Sequence, residues 1–63
     1  MSSLYLYEIT KINTRTGAKM VTIRGLNHSD IMELTEGYTS EGSAPRWTFT
    51  RSGSRYKYIV TAY

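Results

Sequence analysis

The chain has 63 residues, no Cys, a single His and a net charge of +3. That length allows one domain, whose core is small because so short a chain buries only about 60% of its unfolded surface. The missing Cys excludes a disulfide-stapled scaffold, and one His without Cys excludes the usual zinc sites, so packing, aromatic residues or self-association must supply the stability.

Residues 4–13, LYLYEITKIN, are rich in β-branched and aromatic residues and predict a strand. Its two apolar sets, Tyr5, Tyr7 and Ile9 against Leu4, Leu6 and Ile12, imply a bulge near Thr10 or burial on both faces. Thr14–Gly17 then predicts a short hairpin loop, with Gly17 able to take positive φ. Residues 18–24 return as a second strand, with Val21 and Ile23 opposite Met20, Thr22 and Arg24.

A helix is predicted over about residues 28–36. Asn27 is a cap residue and Asp30, three further on, completes a capping box, with Leu26 and Ile31 placed as a hydrophobic staple. Ile31, Leu34 and Tyr38 form the expected buried stripe, and Gly37 stops the helix. Residues 37–45 lack apolar periodicity and read as a polar, mobile loop. Residues 46–51 alternate Trp47, Phe49 and Arg51 against Arg46, Thr48 and Thr50, and a turn at 52–54 leads into a last strand over 55–62.

The order strand, strand, helix, strand, strand predicts a single α+β domain: a two-layer ββαββ fold with a four-stranded antiparallel sheet and one short helix on one face. One helix covers one face, so the other meets solvent, a partner or a second copy. Free sheet edges add a route to a homodimer.

Charge is sorted along this order. Residues 1–26 carry +3, residues 27–41 carry −4 with no Lys or Arg, and residues 42–63 carry +4 with no acid. The basic blocks also hold five of the six tyrosines, the Trp and the Phe, a composition suited to contact with an acidic surface. Candidate partner-binding residues are Tyr5, Tyr7, Arg24, Arg46, Arg51, Arg55 and Lys57. Arg51 and Arg55 flank a small turn whose backbone N–H groups suit a phosphate or carboxylate.

No catalytic, metal or cofactor site is expected. His28, Ser29 and Asp30 are consecutive, and helix neighbours diverge by about 100°, so they do not converge as a triad. There is no phosphate loop and no calcium loop. With no apolar run of signal or membrane length, a soluble cytoplasmic protein is expected.

In the order of its elements (the YLYEI strand, the Thr14–Gly17 hairpin, the LNHSDIMEL helix and the WTFT/YKYIV hairpin) the chain resembles small phage-encoded inhibitors of host machinery, including some anti-CRISPR proteins. That resemblance implies a stoichiometric, non-catalytic blocker of a nucleic-acid-handling protein complex in a bacterial host cell. The positive net charge departs from inhibitors that act as acidic DNA mimics and suits a target with an acidic surface. The same Arg- and Tyr-bearing face also suits direct nucleic-acid binding, with cations on phosphates and tyrosines on bases. A third expectation is a structural or assembly module, with a sheet edge pairing to a neighbour.

Overall fold

The structure is a computed structural model and describes residues 6–63. Its elements are β1 (Tyr7–Asn13), β2 (Lys19–Leu26), α1 (His28–Leu34), β3 (Thr39–Ser43), β4 (Arg46–Thr50) and β5 (Tyr56–Ala62). The strands form one sheet in the order β2-β1-β5-β4-β3, antiparallel throughout. Over the described residues the fold is therefore α+β, ββαβββ, with five strands rather than the expected four.

The extra strand, β3, occupies most of the segment expected to be a loop. Its sequence, TSEGS, carries no apolar alternation, and every residue in it is exposed. It pairs with β4 through the main chain, from Thr39 opposite Thr50 to Ser43 opposite Arg46, around a two-residue Ala44–Pro45 turn with a cis peptide bond. An edge strand needs only its backbone ladder to form, so hydrophobic patterning does not reveal it.

The expected Thr14–Gly17 loop forms as read. The Asn13 amide donates to the Ala18 carbonyl at 2.9 Å, and Gly17 has φ +77°. Asn13 Oδ1 accepts from the amides of Arg15 and Thr16 at 2.8 and 3.1 Å, fixing the turn from inside. Of the two apolar sets expected for the first strand, Ile9 is buried on the helix-bearing face and Ile12 is half-buried on the other, whereas Leu6 is exposed and Leu4 and Tyr5 lie outside the described residues. The register of β1 with β5 runs unbroken from Tyr7 opposite Ala62 to Asn13 opposite Tyr56. The irregularities lie in the partner strand β2, where Arg24 and Gly25 together oppose Glu8, and Met20 is an extra residue beside Lys11 and Ile12.

The helix begins as its cap predicts. Asn27 Oδ1 accepts from the Asp30 amide at 2.8 Å, and Asp30 Oδ2 accepts from the Asn27 amide at 3.1 Å. The helix is shorter than expected, ending at Leu34, and its buried stripe differs. Ile31 and Thr35 are buried, whereas Leu34 is 42% exposed. Thr35 follows Ile31 by four residues and so takes the inward position. Its hydroxyl is satisfied by donating to the Ile31 carbonyl at 2.7 Å.

Among the described residues, Ile9 from β1, Val60 from β5 and Ile31 from the helix are the buried apolar ones, with Tyr7, Leu26, Trp47, Phe49 and Tyr58 packed around them. Register puts Tyr7, Ile9, Trp47, Phe49, Tyr58 and Val60 on the helix-bearing face. Glu8, Thr10, Ile12, Thr48, Lys57, Ile59 and Thr61 take the helix-free face. No helix among the described residues is long and apolar enough to cross a membrane.

Candidate functional site

The two basic blocks of the sequence meet at one end of the sheet. The Thr14 amide donates to the Arg55 carbonyl at 2.9 Å, and the Thr14 hydroxyl donates to the same oxygen at 3.1 Å. These bonds hold the Thr14–Gly17 loop against the turn that precedes β5. Just above, Ile12 lies between Lys19 on β2 and Lys57 on β5. Segments 11–19 and 51–57 thus place Lys11, Arg15, Lys19, Arg51, Arg55 and Lys57 around one tip, and neither segment contains an acid. Arg15, Lys19, Arg51 and Arg55 are exposed, and Lys11 and Lys57 are half-buried. Among the described residues none of the six makes an ion pair. Lys11 Nζ stands 4.1 Å from the centroid of the Tyr56 ring, a cation–π contact that holds this charge at the sheet surface.

Physically the tip is a concentration of like charge, which raises the local concentration of anions. The turn at 52–54 carries no charge itself and lies between Arg51 and Arg55. The Ser54 amide donates to the Arg51 carbonyl at 3.1 Å, and Ser54 Oγ contacts the Tyr38 hydroxyl at 2.9 Å and donates to the Tyr56 carbonyl at 2.9 Å. This network ties the turn to the sheet and to the segment after the helix. Tyr38 and Tyr58 meet edge to face, with ring centroids 5.2 Å apart. Burial, and then the adjacent Tyr38 phenol, push the Tyr58 hydroxyl above its ordinary value.

Of the expected site residues, Arg51, Arg55 and Lys57 belong to this tip. Arg24 and Arg46 do not. Both lie at the far end of the helix-free face, in a row that crosses the sheet as Arg24, Glu8, Thr61, Arg46. Arg24 Nε is 3.0 Å from Glu8 Oε1, and its guanidinium lies 4.8 Å from the centroid of the Tyr63 ring, so much of its charge is answered within the chain. Tyr63 is itself fixed, since its hydroxyl accepts from the Gly25 amide at 2.8 Å. Tyr7 points to the helix side, where its ring lies 6.2 Å from those of His28 and Trp47. Tyr5 lies outside the described residues.

Lys11, Arg15 and Lys19 were not among the expected site residues. Simple alternation places Lys19 with Val21 and Ile23 on the helix side, but the extra residue Met20 shifts it opposite Ile12, onto the helix-free face. Arg15 sits in a loop, where strand patterning says nothing. The signal available in the sequence is the absence of acid from residues 9–29 and 42–63.

On the helix side a cleft of about 500 Å³ opens between α1, Tyr38 and the aromatic side chains of β4. Among the described residues no three His, Asp or Glu side chains gather in a way that could hold a metal ion. No protein-family model, curated protein or solved structure matches the chain.

Proposed function

We propose that this chain is a small, non-catalytic binding protein that acts on a nucleic-acid-handling complex by seating its basic tip on exposed phosphates. The observation that carries this reading is the Thr14–Arg55 contact, which brings two acid-free segments with six cations between them to one end of the sheet, Lys11 on the helix-bearing face and Lys19 and Lys57 on the other. Phosphate contacts of this kind are independent of base sequence and release condensed counterions. Occupying phosphates that the host complex must reach would inhibit or modulate it, the role implied by the resemblance to small phage-encoded inhibitors.

An acidic protein surface on the same complex is the second reading. The helix-free face favours it, because Arg46 and Lys57 flank a Thr- and Ile-lined sheet surface around Thr48, Ile59 and Thr61 that suits a flat protein partner. The tyrosines favour neither strongly, since Tyr7, Tyr56 and Tyr58 share the opposite face.

Anisotropy titrations separate the readings, using labelled single-stranded DNA, single-stranded RNA, duplex DNA and polyglutamate at low and moderate salt. The phosphate reading predicts saturable binding to at least one nucleic acid, with a fall of roughly 100-fold between 50 and 200 mM salt for about four phosphate contacts. The double variant Arg15→Ala/Arg55→Ala loses it. Binding confined to polyglutamate and abolished by Arg46→Glu/Lys57→Glu selects the protein reading. No binding to any probe at low salt contradicts both.

A further inference from the structure

We infer that the helix-side cleft is a second binding site, distinct from the basic tip, for a small organic cation of the alkylammonium class. Four aromatic side chains line it: Tyr7, Tyr38, Trp47 and Phe49. Tyr7 and Trp47 meet at 6.2 Å between centroids and 52° between planes, so they form an angled wall rather than a flat stack. At about 500 Å³ the cleft falls within the range of small-molecule sites.

The charge of its lining selects the ligand. Glu36 is the only carboxylate in that lining, which contains no Lys or Arg. Glu36 is exposed and makes no ion pair among the described residues. The surrounding segment, residues 27–41, carries four acids, one His and no Lys or Arg. Aromatic rings attract cations through their negative faces, and a nearby carboxylate adds direct Coulomb attraction. An anionic ligand would meet Glu36 with no Lys or Arg in the lining to neutralise it; His28, whose ring lies 6.2 Å from that of Tyr7, is the only other ionisable side chain there besides the tyrosines. A purely apolar ligand would fill the space without using the carboxylate. An alkylammonium group presents methyl groups to the rings and a diffuse positive charge to Glu36. The sequence signals for this site were dispersed, with Tyr7 in the first strand, Glu36 after the helix and Trp47 in the fourth strand.

The test uses the full chain and the fluorescence of Trp47, the only Trp, which itself lines the site. Choline is titrated at pH 8 and constant ionic strength, with its uncharged carbon isostere dimethylbutanol as control. The Met32 methyl resonance is followed in parallel, because Met32 also lines the cleft. The inference predicts a saturable change in both signals with choline, affinity for the isostere weaker by about 5-fold or more, and loss of that preference in Glu36→Gln. Because Glu36 is exposed, this variant is expected to fold as the parent does. Equal binding of choline and its isostere, or a preference that survives in Glu36→Gln, would reduce the cleft to a non-selective apolar groove and overturn the inference. So would the absence of a saturable signal. The basic-tip reading survives either result, since its nucleic-acid titrations do not involve this cleft.

Discussion

Thr14 and Arg55 are bonded twice, through the Thr14 amide at 2.9 Å and its hydroxyl at 3.1 Å, both to the Arg55 carbonyl. Residues 41 positions apart are thereby fixed side by side, each next to or within a cationic turn. Thr14→Val keeps the β-branched shape and the amide bond but removes the hydroxyl. The expected cost is about 0.5–1 kcal/mol, at the low end for a hydrogen bond because the site is exposed. Polyanion affinity should fall modestly although no charge has been removed. Urea denaturation and a binding titration on the same variant check the two effects.

The eight cations are not equivalent. Arg15→Ala or Arg55→Ala should each weaken binding to nucleic acid and lower the magnitude of the salt slope by about one. Arg24→Ala should leave that slope nearly unchanged, because Arg24 is committed to Glu8 and Tyr63 at the far end of the sheet. Its stability cost should be within about 1 kcal/mol, as for other exposed ion pairs. Affinity measured at several salt concentrations for the three variants decides this. An Arg24 effect as large as that of Arg55 would move the interface to the helix-free face.

The helix is anchored by Ile31, which is only 4% exposed. Ile31→Ala should cost about 2–5 kcal/mol, a large share of the stability available to so small a domain. Leu34→Ala and Met32→Ala, at 42% and 57% exposed, should cost far less. Denaturant midpoints for the three variants test the orientation of the helix, since the sequence pattern alone ranks Leu34 with Ile31.

Alkaline pH should destabilise the fold through Tyr58. Its folded-state hydroxyl is raised above the ordinary phenol value, chiefly by burial and then by Tyr38. Its contribution is fully present below the unfolded value of about 10. As pH rises above that value the unfolded chain loses the proton first, which favours unfolding. The contribution is lost as pH rises through the folded value. Tyr58→Phe should flatten this alkaline limb, which denaturation midpoints from about pH 8 to 11 would record.

Much of this architecture was legible in the sequence because local chemistry and global fold agree. The Asn27–Asp30 capping box and the Gly17 loop formed where the residue types required them. The alternation of RWTFT and YKYIV sorted Trp47, Phe49 and Val60 to the core side. The missed strand β3 has no such signature. Its positions opposite Phe49 and Trp47 are Ser40 and Gly42. A Cβ on Gly42 would stand 3.0 Å from the Arg46 carbonyl oxygen, and its φ is +96°, so this position excludes the side chain that would have advertised a strand. The site was half legible. Charge blocks can be counted in the sequence, but which cations converge depends on which loops share a sheet end, and that follows from β1 pairing with β5. The bulge at Met20, which moves Lys19 to the other face, is likewise a property of the register.

The most direct test of the basic-tip reading is an NMR titration of the isotope-labelled chain with a single-stranded oligonucleotide at low salt. The account predicts saturable amide shifts concentrated at Arg15, Thr16, Ser52, Gly53 and Arg55, reversed by added salt, with the His28–Leu34 helix unmoved. Absence of saturable shifts, or shifts centred on the helix or on the Arg24–Arg46 row, would contradict it.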